Sequence, residues 1–442
     1  MREQIYNYMK DGEDVYKARA DRDIEINRKG DFELILTDKN GNSLNDGQII
    51  NAELTDLDFN FGANIFMLGE YDEFERNSAY EKEFCGLFNT ATIPLYWEGT
   101  EPKKGYLRYD KSTPRDVYRR PPADTVVEFC RKNNLRMKGH PLFWTEFVPD
   151  WLPNDYRELK KYIVKRFEEI SQRYSKSVEC FDVVNEPSRL YDVYMRDRKT
   201  RLNGAMLVED DYCVWLFKLA RQLFPANKLI INDTVWASFH EFRGKYSGYY
   251  LNLKDLINRG VEIDEIGLQC HLGTNGPENA YNAERLYDVL DTYASLGKTI
   301  NISEISIPSV FEDGEDEDLQ AQAAEQLYKI CFSHPAVTGL TWWNLPDDGV
   351  LTIKRAAGDE NIPSIGLIDP DYSEKKAYKT LQKLIKQDWT TNETIAVKNG
   401  TAKFRGFYGK YKITANVNEK NVSAVVDFTK CASDNRRIQL EV

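Results

Sequence analysis

Several features that would decide the chain's class at once are missing from it. No apolar run in its 442 residues approaches the roughly 18–20 residues needed to cross a bilayer, so no membrane partner is expected. The opening stretch, "MREQIYNYMKDGED", has no hydrophobic core of the kind a secretory leader carries. The chain as it stands therefore reads as cytoplasmic, or as secreted or periplasmic if a leader has been removed. Basic charge is not in excess: 59 Lys and Arg face 71 Asp and Glu, a net charge of −12. Nucleic acid, which calls for a basic face, is excluded as a partner on that ground. The seven cysteines (Cys85, Cys130, Cys180, Cys213, Cys270, Cys331 and Cys431) are odd in number and lack Cys-x-x-Cys spacing. They read as small buried apolar residues rather than a disulfide framework or zinc site. Internal repeats, low-complexity tracts and long linkers are also lacking, as is a glycine-rich phosphate loop after the first strand of the α/β region.

What is present is organised around "VECFDVVNEPS", Val178 to Ser188. Its apolar residues Val178, Cys180, Phe181, Val183 and Val184 stop at Asn185, Glu186 and Pro187, as a buried strand emptying into a polar loop does. Proline cannot continue the ladder, so Glu186 is the last residue such a strand holds firmly. A second stretch of the same design, "KTINISEISI", sets Glu304 among Ile300, Ile302, Ile305 and Ile307. Two carboxyls at the exits of two parallel strands face one cleft, and such a pair is the machinery of glycoside hydrolysis.

The chain is long enough for a barrel of about 250 residues and something smaller. A short helical segment opens it. "DFELILTDKNGNSL" then places Phe32, Leu34 and Leu36 on one face, and the Asn40-Gly41 turn with a second run over 49–57 predicts a hairpin. The same region superficially resembles a calcium loop (Asp38, Asn40, Asn42), but Ser43 and Ile49 stand where Gly and Glu are needed. From Phe59 on, strand-like and helix-like segments alternate. Strands are expected over 59–64, 90–96, 136–140, 180–184, 228–231, 265–269, 299–303 and 339–343, with helical spacing at Leu159, Ile163, Phe167 and Ile170 and at Leu286, Val289, Leu290 and Tyr293. Eight such strands favour a closed (β/α)8 barrel, a TIM barrel, over an open sheet. A last helix near 374–387 precedes a β-rich tail, whose Phe404, Phe407, Tyr408 and Tyr411 read as a small β core in preference to a sugar-stacking surface. Three units are expected: an N-terminal helix and strand module (1–58), the catalytic barrel (59–388) and a C-terminal β module (389–442). The acidic run 313–318 reads as a helix start.

Further polar and aromatic residues end the other strands. They are His140 and Trp144 at the third, Asn232 at the fifth, Gln269 and His271 at the sixth, and Trp342, Trp343, Asn344 and Asp347 at the eighth. Two of only four histidines stand at strand exits beside two glutamates, which favours a functional reading of the set over a structural one.

With these residues in place the chain resembles glycoside hydrolase family 10, the xylanase family of the retaining (β/α)8 glycosidases. The matching stretches are "WEGTEPKKG" (97–105), "GHPLFW" (139–144), "FDVVNEP" (181–187), "IGLQCHL" (266–272), "ISEISI" (302–307), "TWWNLPDD" (341–348) and "GLIDPDYSEKKAY" (366–378). The resemblance implies a retaining endo-β-1,4-xylanase-like hydrolase that acts on a β-linked poly- or oligosaccharide without a metal or organic cofactor. Glu186 would be the acid/base, with a raised pKa, and Glu304 the nucleophile, their carboxyls about 5–5.5 Å apart. Asn185 would bind the sugar's 2-hydroxyl and His271 would orient Glu304. His140 and Gln269 would line the cleaved sugar's subsite over a Trp343 floor, with Trp144 and Tyr96 beside it. The chain also departs from the family. Thr92, Ile93 and Tyr96 replace the Glu, Asn and Lys that grip the next sugar, Thr145 replaces a His, and "DDGVLTIKR" (347–355) lacks the second tryptophan that closes over the cleaved sugar. Two Arg-rich inserts, "DKSTPRDVYRRPP" (110–122) and "RLYDVYMRDRKTRLNG" (189–204), are candidates to refill that space. In the second, Arg189, Arg196, Arg198 and Arg201 are candidates for pairing an acidic sugar, against the simpler expectation that they pair Asp192, Asp197 or solvent. Two alternatives stand beside the xylanase reading: the same mechanism on another β-linked glycan or aglycone with a C6 or acidic substituent, and an inactive carbohydrate-binding barrel.

Overall fold

Eight short, mostly apolar runs close into one parallel barrel in the computed structural model, which describes residues 2–37, 41–110, 117, 119–188, 211–272, 278–311, 314–349, 364–417, 420–430 and 437–441. The barrel strands are β3 (Asn60–Asn64), β4 (Thr90–Pro94), β5 (Arg136–His140), β6 (Cys180–Asn185), β7 (Lys228–Asp233), β8 (Glu265–His271), β9 (Thr299–Ser306) and β12 (Val337–Trp342). They are ordered β12-β3-β4-β5-β6-β7-β8-β9. A small hairpin, β10 (Val310–Phe311) and β11 (Gly314–Glu315), follows β9. Every residue of β4 and β8 is buried, as a strand with side chains inside and helices outside must be. The largest change from expectation is at β9, which runs three residues past Ser303.

The crossover helices begin where the sequence offers caps. Asp155 accepts from the Glu158 N–H at the head of Tyr156–Tyr174, Asn282 from Arg285 at Ala283–Ala294, and Asp316 from Leu319 at Glu317–Ser333. The last explains the acidic run before that helix: the carboxylates complement the helix dipole. The expected final helix runs Lys376–Lys383 and passes into a π turn, Leu384–Asp388. Among the described residues no helix is long and apolar enough to cross a membrane.

The termini correct two expectations. Two helices, Arg2–Lys10 and Glu13–Asn27, open the chain. The two strands that follow, β1 (Lys29–Thr37) and β2 (Ile49–Leu57), do not form a hairpin. β1 pairs with β14 (Thr401–Phe407) and β17 (Arg437–Glu441), whereas β2 pairs with β13 (Asn392–Ala396) and β15 (Gly409–Val417). β16 (Lys420–Phe428) completes the second sheet. The strands expected as separate N- and C-terminal modules therefore share two sheets and one core. Phe32, Leu34, Ile50 and Ala52 meet Phe404, Tyr411, Ile413 and Phe428 there, and Phe32 stacks on Phe428 at 4.3 Å. Alternation marks each strand's apolar face but not its neighbour, and two facing sheets satisfy it as well as one hairpin does. Phe407 instead packs into the barrel core.

This sandwich docks at the barrel end opposite the strand exits. Arg28, buried at 8% exposure, donates to the carbonyls of Phe332, His334 and Val337 and stacks on Phe59 and Phe332. Arg136 ties Asp56 and the Leu57 carbonyl to the start of β5. Burial lowers the Arg28 pKa to about 10, and the Phe332, His334 and Val337 carbonyls lose a charged donor without it. Arg28→Met is expected to cost at least about 3 kcal/mol of stability, read from denaturant midpoints, with kcat of the folded variant unchanged. A loss below about 1 kcal/mol would show that the sandwich is held by its apolar contacts alone.

Candidate active site

Two irregularities aim the paired carboxyls. In β6 the register with β7 slips between Asp182 and Val184, and in β9 the register with β8 slips between Ile302 and Glu304. Each slip leaves one extra residue, Val183 or Ser303, and such a bulge re-aims the side chains beyond it. Glu186 then leaves β6 with φ 53°, a left-handed conformation rare for a side-chain-bearing residue. Its N–H is held by the Asn232 carbonyl at 2.7 Å.

Asn232 and Gln269 connect the two glutamates. Asn232 Nδ2 donates to Glu304 Oε1 and to Asn185 Oδ1, both at 2.8 Å, and Ser303 Oγ donates to Asn232 Oδ1 at 2.5 Å. Gln269 is the cross-strand partner of Glu304, and its Nε2 donates to Glu186 Oε1 at 3.0 Å. His271 Nε2 lies 3.1 Å from Glu304 Oε2, with its Nδ1 2.8 Å from Ser306 Oγ. Both glutamates are buried.

Beneath them the barrel interior is charged. His140 Nδ1 lies 2.7 Å from Asp182 Oδ2, and Lys138 Nζ pairs with the same oxygen at 3.1 Å. Burial alone would raise the Asp182 pKa, but the Lys138 charge and the His140 hydrogen bond outweigh it and hold the carboxyl below its ordinary range. Burial likewise pulls Lys138 down, and Asp182, with help from Glu304, holds it above its ordinary value.

One side of the site is aromatic. Trp343, Tyr96, Trp144 and Phe66 form a buried cluster with Phe147 packed against it. His140 stands edge-on between Tyr96 and Trp343, 5.4 Å from each. The Trp144 Nε1 donor is buried with no partner among the described residues. An aromatic wall with an indole N–H suits the apolar face and hydroxyl rim of a sugar ring.

The residues singled out from sequence thus divide. Glu186, Glu304, Asn185, Asn232, Gln269, His271 and His140 form one hydrogen-bonded and stacked assembly with Trp343, Tyr96 and Trp144. Trp342 lies elsewhere: it is fully buried and donates to the Ile365 carbonyl at 2.9 Å. Asp347 pairs with Lys375 at 2.5 Å and accepts from the Gly366 N–H, which anchors the loop after β12. Lys138, Asp182, Ser303 and Ser306 were missed, because small polar or charged residues inside a strand carry no periodic signal of their own. The first insert does reach the site. Arg119 Nη2 donates to Asn344 Oδ1 at 2.6 Å, and Arg120 lies over the Tyr96 ring. Arg189, Arg196, Arg198 and Arg201 lie outside the described residues, as does most of the segment without the second tryptophan.

Comparison with known proteins bears on this assembly. The family model described as glycosyl hydrolase family 10 matches residues 61–384. Among curated relatives, an anti-sigma-I factor of Acetivibrio thermocellus is 26% identical over 408 residues, covering 90% of this chain and 46% of the relative. Endo-1,4-beta-xylanase 1 of Arabidopsis thaliana is 26% identical over 344 residues, covering 76% and 32%. The chain therefore spans less than half the length of either. Endo-1,4-beta-xylanase B of Thermotoga neapolitana is 27% identical over 289 residues, covering 64% and 79%. Among solved structures, native xylanase 10B of Thermotoga maritima superposes with a TM-score of 0.58 at 22% identity, covering 75% of this chain and 96% of that one. An intracellular xylanase of Thermoanaerobacterium saccharolyticum in complex with xylotetraose gives 0.56 at 21% identity, covering 73% and 95%. At these identities the structures carry the fold.

Proposed function

The chain belongs to glycosyl hydrolase family 10, and from that premise we propose that it is a retaining β-glycosidase that cleaves β-1,4-linked xylan, xylo-oligosaccharides or a close β-linked relative by double displacement. The observation that carries the reading is the pair of buried glutamates: Glu186, whose carboxyl accepts from Gln269 and whose N–H is held by Asn232, and Glu304, whose carboxyl accepts from the same Asn232. In the first step Glu304 attacks the anomeric carbon while Glu186 gives its proton to the leaving oxygen. In the second, Glu186 takes a proton from water as water displaces Glu304. Asn185, steadied by Asn232, binds the 2-hydroxyl as charge develops at the anomeric carbon. His271 and Asn232 hold Glu304 in line, and Trp343 with His140 forms the sugar floor. The named xylanase relatives support a β-linked xylo-saccharide as substrate class.

The test is hydrolysis of aryl β-xyloside, β-xylobioside, β-glucoside and β-glucuronide, with the first-formed anomer followed by NMR. The reading requires a β-anomer and a rate abolished by Glu304→Ala; an α-anomer would overturn it. The likeness to an anti-sigma-I factor over 90% of the chain favours one second reading, a barrel that binds saccharide within a regulatory protein without consuming it. Saccharide binding by calorimetry with no turnover of any of the four substrates would select that reading.

A further inference from the structure

The first insert carries two adjacent arginines, Arg119 and Arg120, just before its closing prolines, and the second of them is buried beside the site. Arg120 is 6% exposed. Its stem lies against Gly99, where a Cβ would stand 3.0 Å from the Arg120 Cγ and 3.2 Å from its Cδ. Its guanidinium lies 3.7 Å from the Tyr96 ring centre, with Phe66 and Phe147 at 5.3 and 5.7 Å. Nη1 donates to the Arg119 carbonyl at 2.9 Å. Among the described residues no carboxylate pairs with Arg120, and neither its Nε nor its Nη2 has a hydrogen-bond partner.

Aromatic faces favour a cation, but a guanidinium this deep is costly without a counter-charge. The unused Nε–Nη2 edge is the planar fork that binds a carboxylate through two parallel hydrogen bonds. Its position is also informative. Tyr96 touches His140, which touches Trp343, so Arg120 is one ring away from the cleaved sugar's subsite.

Building on the hydrolase reading, we propose that Arg120 is a specificity determinant that receives a carboxylate on the sugar next to the cleaved one, on the non-reducing side. The preferred substrate is then a β-linked oligosaccharide carrying a uronic acid at that place, either as the sugar itself or as a branch on it. Gly99 makes room for the receptor, and Tyr96 holds it flat.

The test compares kcat/KM for three aryl disaccharides: neutral β-xylobioside, an analogue whose distal sugar is a uronic acid, and one whose distal xylose bears a uronic acid branch. Wild type is expected to favour one acidic substrate by about tenfold or more, and which one it favours identifies the carboxylate's source. Arg120→Met keeps the stem and is expected to bring the acidic-to-neutral ratio to about one. Arg120→Lys, a conservative control should the Met variant fail to fold, keeps charge without the fork and is expected to lose most of the preference. An acidic-to-neutral ratio near one in wild type, or unchanged in both variants, overturns the proposal. If wild type hydrolyses none of the three, the hydrolase reading fails by itself. Calorimetric titration with the two uronic-acid disaccharides then decides: binding about tenfold weaker in Arg120→Met supports the receptor, and equal binding overturns it.

Discussion

On the proposed double displacement, Glu304→Ala is expected to lower kcat by at least about 10⁴-fold, since loss of the proposed nucleophile removes the covalent route altogether. The surrounding donors make the effect specific. Asn232 and His271 both engage this carboxyl, and neither can attack an anomeric carbon in its place. Glu186→Ala should behave differently. Its loss is expected to cost about 10²–10⁴-fold where the leaving oxygen needs a proton, and far less in the first step with a strongly activated aryl leaving group. For such substrates the second step becomes limiting, because no base activates water, and a small anion such as azide should restore turnover as a β-glycosyl azide. Equal losses on activated and unactivated substrates, or no rescue by azide, would remove Glu186 from the acid/base role. Full activity in Glu304→Ala would remove the paired-carboxyl mechanism itself.

The second large effect lies beneath the site. Asp182→Asn is expected to destabilise the fold by about 3–5 kcal/mol, because Lys138 would keep a buried charge whose counter-ion is gone. The Asp182 pKa is lowered on folding, so its stabilisation is present above its ordinary value of 3.8 and lost as pH falls through the lower folded value. Lys138 is shifted the other way, so its share is present below its ordinary 10.5 and lost only as pH rises through the higher folded value. The difference in stability between wild type and Asp182→Asn should therefore be flat across neutral pH and shrink under acid. Lys138→Met added to Asp182→Asn should recover much of the loss, as buried pairs replaced by apolar residues often do. A loss under about 1 kcal/mol, or one independent of pH down to acid unfolding, would show that this pair is not the charge balance of the barrel interior.

The same pair separates what was legible in the chain from what was not. Apolar runs, each ended by a polar residue or proline, determined by themselves that there are eight parallel strands and that two carboxyls stand at their exits. A strand buried on both faces must be apolar along its length, and a carboxyl at its end has only the loop face to occupy. Glu186, Glu304, Asn185, Gln269, His271 and His140 were legible for that reason. The partners of the terminal strands were not, because alternation gives each strand a face and no neighbour; β1 and β2 entered opposite sheets. Nor were the bulges at Val183 and Ser303, which depend on the register each strand shares with its neighbour. Lys138 and Asp182, 44 residues apart in the chain, make sense only as one ion pair. The seating of Arg120 between Gly99 and Tyr96 was decided by tertiary structure alone. An insert's charge can be read from its composition, but its position depends on the wall it meets after the barrel has closed.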